Sequence, residues 1–423
     1  MAKVNDNIKI TIPHYPKLIL DTLYDNGYDA YIVGGCVRDN LLKKNPDDYD
    51  ITTNAKPDEV KKLFKRTVDI GIKHGTVAVV FYEKNIPYTY EVTTYRKDGE
   101  YDDGRHPNNV EFVDDLREDL LRRDFTINAM AYNDKRGLVD EFGGVADLNN
   151  KIIRAVGNPV ERFTEDALRL LRAVRFSSKL GFEIEKETEK AIIDLSAKLI
   201  NVSKERVEVE LTKIITGNNP SYVDKIYDLG LAKYICDGFE DIKVGRFEPN
   251  LSVFLAYSCL LYNTDADKAT IILKNLKLDN NNINKIKLLL EAKKFCDKIY
   301  SCGNDTGIEK KIIVKELINY LGYDLVYDFI KLISINENDK ILLDYIKENV
   351  DAFKNDNCPI FIKDLAINGN EVMNLGFAGV EVGTTLSWLL KIVHKNRDYN
   401  KNNILKDILK RVYQYYKGDA YEL

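Results

Sequence analysis

The hydrophobic period of this chain changes once along its length. Up to about Tyr132, short β-rich runs ("DAYIVGG", "DYDITT", "TVAVVFY" and "YTYEVTTYR") are separated by turn residues and helical stretches. From Thr164 onward the apolar residues recur at helical spacing in long segments such as "TEDALRLLRAVRFSSKLGF" and "ERVEVELTKIITG", with Gly and Asn at the breaks. A period of two sends alternate side chains to opposite faces of a sheet, whereas a period of 3.6 draws one stripe along a helix. The pattern therefore predicts an α/β N-terminal part followed by an almost wholly helical remainder. "KNIP" reads as a hairpin loop with Pro87 at its end, which makes the runs on either side antiparallel neighbours. Joints are expected near Gly157, at Gly217 to Pro220, around Leu278 to Asn284 and at the Asn355 to Pro359 turn.

Composition narrows what such a chain can do. With 423 residues and 44% hydrophobic content, it can bury several packed units. A net charge of -5 argues against a generally basic nucleic-acid coat and confines any RNA binding to a local patch. The opening "MAKVNDNIKITIPHYPKLIL" lacks a signal-type apolar core, and no apolar stretch is long enough to span a bilayer, so the expectation is a soluble, cytoplasmic protein without membrane partners. Its six cysteines form no CxxC pair and read as reduced, mostly buried thiols; its four histidines form no metal-ligand pair.

Chemistry concentrates in "GGCVRDNLLKKNPDDYDITTNA", Gly34 to Ala55. In a strand, residues two apart share a side, so Asp48 and Asp50 of "DYDIT" would present two carboxylates together, with Asp47 on the other side or in the preceding turn. Two carboxylates facing one way repel, and a divalent cation relieves them. Mg²⁺ suits such a pair, because it takes one or two carboxylates and fills its other positions with water and substrate phosphates. The pair thus suggests phosphoryl or nucleotidyl transfer. Upstream, "YIVGGCVRDNLL" reads as strand, Gly34-Gly35 turn and helix, with Val37 and Leu41 on one helix face and Arg38 in the first turn. Such a turn lets backbone N–H groups approach a polyphosphate.

Gly34-Gly35, "VRD", "DYD", "EVTTYR", "DGRHP", "RRDFTINAMAY", "EDALRLLRAVRF" and "ERVEVELTKI" follow one another in an order that resembles the bacterial class II tRNA nucleotidyltransferases, the CCA-adding enzymes of the polymerase β superfamily. The resemblance is strong from Ile32 to about Ile215 and looser beyond, where "IKDLAINGNEVMNLGFAGVEVG" is the best match. It implies a nucleotidyltransferase head with a mixed or antiparallel sheet and helices (residues 1–135), then an all-α neck with nucleotide-selecting helices (136–217), body (218–290) and tRNA-binding tail (291–423). The implied activity is template-independent addition of the 3′-terminal CCA to tRNA from CTP and ATP with release of pyrophosphate. CC-adding, A-adding or poly(A)-adding relatives share the same head and neck. A non-catalytic RNA-binding descendant would have no reason to retain this motif set together, and a small-molecule nucleotidyltransferase would scarcely need so long a helical extension.

By resemblance, Asp48 and Asp50 would be the catalytic pair that holds two Mg²⁺ ions. Glu91, in "YTYEVTT", would complete the carboxylate set or accept the primer hydroxyl's proton. The nucleotide-binding set comprises Gly35, Arg38, Arg123, Asp124, Asn128, Asp166, Arg169, Arg172 and Arg175. In "RRDFTINA", Arg123 can meet phosphate or base, Asp124 can accept from a ribose hydroxyl and Asn128 can orient a phosphate or a metal water. Asp166 and Arg169, three apart on one helix, share a face that Arg172 and Arg175 continue. Cytosine and adenine each offer an amino donor beside a ring-nitrogen acceptor, which one carboxylate and one guanidinium can meet together; uracil and guanine offer the reverse. The charged, glycine-bearing segment Arg96 to Arg105 would be the mobile loop linked in the family to the switch from C to A, with "DGRHP" as its hinge. The Lys/Tyr stripes "KKFCDKIY" and "LKRVYQYYKG" would follow the RNA backbone or merely pack.

Overall fold

The computed structural model describes residues 4–5, 8–71, 74–98, 110–302, 307–337 and 339–418. Within them the chain divides into two compact units. The first takes residues up to 241 with 249–251 and 275–278, and the second takes 242–248, 252–274 and the residues from 279 on. Of the loop and hinge expected from Arg96 to Pro107, Arg96–Asp98 form a short strand and not a loop, and residues 99–107 lie outside the described residues.

The first unit is built on one eight-stranded sheet. Its strands in chain order are β1 (Val4–Asn5), β2 (Ala30–Val33), β3 (Asp50–Thr53), β4 (Thr67–Gly71), β5 (Thr76–Glu83) and β6 (Ile86–Thr94), then, after a separate two-stranded ribbon of β7 (Arg96–Asp98) and β8 (Val110–Phe112), β9 (Met130–Asn133) and β10 (Gly137–Asp140). They lie in the order β1-β10-β9-β2-β3-β6-β5-β4. Only β3 and β6 run parallel; the other neighbours are antiparallel. The sheet is therefore mixed, as the sequence predicts. Strand β2 is buried at all four residues because both its faces are covered. Ala30 and Ile32 enter the core formed with Ile19, Leu20 and Leu23 of α1 (His14–Asp25), while Tyr31 and Val33 face Tyr95 and Leu120.

The β5–β6 hairpin is tighter than expected. Ile86 and Pro87 already pair with Glu83 and Tyr82. The loop is only Lys84-Asn85, both at positive φ (49° and 67°), the conformation in which a two-residue turn matches the strand twist.

The predicted helix starting near Thr164 is broken. Helix α2 (Gly35–Leu41) follows β2, α3 (Pro57–Leu63) follows β3, and α4 (Leu116–Leu121) and α5 (Gly144–Asn150) flank β9 and β10. Two helices then stand where one was expected, α6 (Pro159–Glu165) and α7 (Leu168–Leu180). Asp166 between them is extended (φ -140°, ψ 102°), and its Oδ1 accepts from the Leu168 amide at 3.0 Å. A short acidic side chain bonding its own downstream backbone competes with the helix at this point and starts a new one. Helices α8 (Lys186–Leu195) and α9 (Lys204–Ile215) follow, and α7 packs on α9.

The second unit is all-helical. Helices Asn280–Ser301, Gly307–Asn336 and Lys340–Asn355 pack in succession, the second bent at Gly322 (φ 77°, ψ 163°). A further core gathers Leu365, Ile367 and Val372 with Leu389 and Val393 of helix Val380–Lys395 and with Leu405 and Leu409. No helix among the described residues is long and apolar enough to cross a membrane.

Candidate active site

Sheet register builds the site. Val33 pairs with Asp50 and the chain turns at once at Gly34, so the glycine turn lies beside the first residue of β3. Gly34 has φ 80° and ψ -127°, a conformation essentially reserved for glycine. A Cβ there would stand 3.0 Å from Arg123 Nη1. On the other side of β3, Ile51 pairs with Val92 in parallel register, which sets Glu91 next to Asp50.

Strand β3 begins at Asp50, so Asp48 lies in the loop before it and not in the strand as the sequence predicts, because the ladder to β2 ends where that chain turns away. The two carboxylates nonetheless sense each other. Desolvation, then the charges of Asp48 and Glu91, push the Asp50 carboxyl up to about 6 against the opposing pull of Arg123. Asp48 and Asp50 both stand open to solvent, where a cation can reach them. Among the described residues no three His, Cys, Asp or Glu side chains close on a common point. The protein thus offers an aspartate pair with Glu91 beside it, a hard-oxygen donor set suited to an ion that takes its remaining ligands from water and phosphate.

Arg123 is placed by a residue that the sequence reading missed. Asp119, fully buried on α4, accepts from Arg122 Nε at 3.0 Å and Nη2 at 2.7 Å, from Arg123 Nη2 at 3.4 Å and from Thr52 Oγ1 of β3 at 3.1 Å. Burial alone would raise its pKa, but the two guanidinium groups hold it below the usual carboxylate range. The buried Arg123 Nε has no hydrogen-bond partner. The i, i+3 and i, i+4 spacing of Asp119 to Arg122 and Arg123 was the readable signal.

The other predicted residues form one connected network. Arg38, buried, donates from Nε and Nη2 to Asp39 at 2.8 and 2.9 Å and from Nη1 to Asn128 Oδ1 at 2.6 Å. Asn128 Nδ2 donates to Asp124 Oδ1 at 3.1 Å, and Arg172 donates to Asp124 Oδ2 from Nε at 2.9 Å and Nη2 at 2.6 Å. Burial opposes ionisation of Asp124, yet the Arg172 charge and these bonds hold its carboxyl down to about 2. Glu210 of α9 joins Arg172 at 3.7 Å and Arg175 at 2.8 Å. The closer contact is an ion pair without hydrogen-bond alignment, since Arg175 Nε and Glu210 Oε2 lack hydrogen-bond partners. The guanidinium groups of Arg38, Arg172 and Arg175 surround the Phe176 ring at 5.4, 5.4 and 4.0 Å. Gly35 opens α2, where a Cβ would meet Arg38 Nη2 at 3.6 Å. Glu210 carried no local signal, since its partners are more than thirty residues away in sequence.

Asp166 and Arg169 are not a pair on one helix face. Asp166 precedes α7, and its Oδ2 accepts from Arg206 Nη2 at 2.8 Å. Arg169 donates from Nη1 to the Arg162 carbonyl at 3.0 Å and to Glu165 Oε2 at 2.8 Å, and from Nη2 to the Arg122 carbonyl at 2.9 Å. Each of the two is thus held by its own counter-ion. Arg206 and Glu165 were not among the predicted site residues.

Comparison with known proteins shows what the chain as a whole is similar to. The Poly A polymerase head domain model matches residues 30–154, and a model described as a probable RNA and SrmB-binding site of polymerase A matches residues 181–242. The CCA-adding enzyme of Levilactobacillus brevis is 38% identical over 390 residues, covering 88% of this chain and 90% of that protein. That of Ligilactobacillus salivarius is 35% identical over 425 residues, covering 96% of each. The crystal structure of the Bacillus stearothermophilus CCA-adding enzyme in complex with CTP aligns with a TM-score of 0.76 at 28% identity, over 96% of this chain and 100% of that one. The Thermotoga maritima CCA-adding enzyme complexed with tRNA aligns at 0.64 and 21% identity over 94% of each chain, which shows a shared fold.

Proposed function

The chain belongs to the CCA-adding enzymes and adds CCA to tRNA from CTP and ATP, and from that premise we propose that Asp48 and Asp50 are its catalytic carboxylates and the ligands of Mg²⁺. The observation that carries this reading is the crowding of Asp50 by Asp48 and Glu91 beside the glycine turn. When bound, the ion would neutralise triphosphate charge and lower the pKa of the attacking 3′-hydroxyl. The Gly34-Gly35 turn leaves bare backbone where a phosphate can come close. Arg123, tethered by Asp119 against that turn, brings positive charge and a spare N–H to the departing pyrophosphate.

Base selection falls to Asp166 and Arg169. Arg206 orients the Asp166 carboxylate, so that its free lone pairs can accept the amino group of C or A. The bonds of Arg169 use three of its five N–H donors, and the others can serve a ring nitrogen. Asp124, whose oxygens already accept from Phe125, Asn128 and Arg172, acts through Arg172 and Asn128 and would reach a ribose hydroxyl only by exchanging a partner. We assign head, neck, body and tail in the order of the sequence reading, with the head extended past residue 135 to take in β10 (Gly137–Asp140), which belongs to its sheet, and the cytoplasm as the place of work.

The test uses tRNA lacking its terminal CCA, with CTP and ATP supplied separately and together and Mg²⁺ as the only divalent ion. Asp48→Ala and Asp50→Ala should each abolish incorporation of both nucleotides while tRNA still binds. Near-wild-type turnover in either variant would overturn the assignment.

A further inference from the structure

Two carbonyls at the C-terminal end of α4 are met by guanidinium groups from α6 and α7. The Leu121 carbonyl accepts from Arg162 Nη1 at 3.1 Å, and that of the capping residue Arg122 accepts from Arg169 Nη2 at 2.9 Å. The last carbonyls of a helix lack intrahelical donors and carry the negative end of its dipole, so cations suit them. The same two arginines are joined through Glu165, the last residue of α6. Its Oε1 accepts from Arg162 Nη2, and its Oε2 accepts from Arg169 Nη1 at 2.8 Å. Arg169 Nη1 also donates to the Arg162 carbonyl at 3.0 Å. The Arg162 and Arg169 side chains are only 11% and 10% exposed, so these contacts are shielded from water.

Glu165 is thus shared, one carboxylate oxygen to each guanidinium. A carboxylate that faces a single arginine tends to take it as a fork, through two parallel N–H···O bonds. Here the fork is prevented, because Arg162 holds the second oxygen. Arg169 consequently gives Glu165 only Nη1, and its Nε–H and second Nη2–H stay out of the ion pair. Those are the donors that reading a base requires. Arg162 therefore decides which N–H groups Arg169 has left to offer.

We propose that Arg162 is a positioning residue for nucleotide selection: by holding one oxygen of Glu165 and the Leu121 carbonyl, it keeps Glu165 from chelating Arg169 and leaves two Arg169 donors for the base. The inference rests on the reading of Arg169 as a base-selecting residue. A role confined to fastening α6 onto α4 would act through the Leu121 contact alone and would be indifferent to the charge at position 165. The two roles therefore separate at Glu165. Glutamine there has one acceptor oxygen and no charge, so it cannot form the charged fork with Arg169 even when Arg162 is gone.

The test measures kcat/KM for CTP, ATP, UTP and GTP on one tRNA primer lacking CCA, with the full chain and its R162A, R162K, R162A/E165Q and R169A variants, each checked for folding by circular dichroism. In R162A the preference for CTP over UTP and for ATP over GTP should fall by about tenfold, the scale of one misaligned base-edge contact. R162K, whose ammonium can still occupy Glu165, should keep most of the preference. R162A/E165Q should regain it, although it is the more heavily altered protein; a fastening role predicts a further loss instead. If R162A does not fold, R162Q takes its place, since it can still donate to the Leu121 carbonyl but brings no charge to Glu165. Unchanged preference in the position-162 variants would overturn the proposal, as would a loss that E165Q does not relieve. Failure of the base-selection reading would look different: R169A itself would keep the full preference for C and A.

Discussion

The Asp166 carboxylate lies 2.8 Å from the Arg206 guanidinium. That ion pair joins the α6–α7 junction to α9 across forty positions of sequence and fixes how the carboxylate that we propose accepts the base amino group is presented. Arg206→Ala should therefore loosen selection of C and A. We expect kcat/KM for CTP and ATP to fall by about tenfold and that for UTP and GTP by less, since the lost orientation of one buried hydrogen bond is worth about 1–2 kcal/mol. The measurement is kcat/KM for all four nucleotides on one tRNA primer. A uniform loss with unchanged preference would show that Arg206 only holds the helices together.

Asp119 binds both arginines of "RRD" and Thr52 of β3. Asp119→Ala leaves two partly buried guanidinium groups without their carboxylate and should destabilise the first unit by about 3–5 kcal/mol. Urea unfolding would check this. Asp119→Asn, which preserves shape and some of the bonds, should fold well enough to assay and should raise KM for CTP and ATP alike through a misplaced Arg123. Equal KM values in Asp119→Asn and the unmodified protein would remove Asp119 from the site.

Gly34 combines φ 80° with an Arg123 nitrogen 3.0 Å from where its Cβ would be. Gly34→Ala should cost about 1–3 kcal/mol of backbone strain and displace Arg123, so activity should fall by more than the loss of folded protein explains. Circular dichroism and single-turnover addition of C on the same sample separate the two effects.

His394 is buried, with Nε2 placed to donate to the Ile360 carbonyl at 3.2 Å. Burial first, and the nearby Lys315 charge, bring its pKa down to about 4 although the carbonyl contact opposes them. Its folded pKa thus lies below its unfolded value of about 6.5, so only the unfolded chain takes up the proton between those limits. The contribution is fully present above pH 6.5, declines as the pH falls toward 4, and is level below that. Stability of the second unit should drop by an order of 1 kcal/mol from pH 7 to pH 5. Urea unfolding at the two pH values should show that drop in the unmodified protein and less of it in His394→Gln.

Much of the protein was written in the order of its residues. The change of hydrophobic period divides sheet from helices, because each period permits only one way of burying its apolar side chains. The Gly34-Gly35 turn and Asp50 lie within one strand-turn-helix-strand unit and needed only local geometry to be seen. Asp119 with Arg122 and Arg123 could also have been read, since helical spacing alone makes them meet. Other features were decided by packing. Whether "EDALRLL" is one helix or two depends on Asp166 choosing the Leu168 amide and Arg206 over a continuous helical turn. The pairings of Asp124 with Arg172, of Arg172 and Arg175 with Glu210, and of Asp166 with Arg206 join residues 35 to 48 positions apart. Charge–charge contact depends on distance in space, and a one-dimensional pattern states that distance only within a helix turn or a strand pair. Beyond that reach, the docking of α7 on α9 chose each partner.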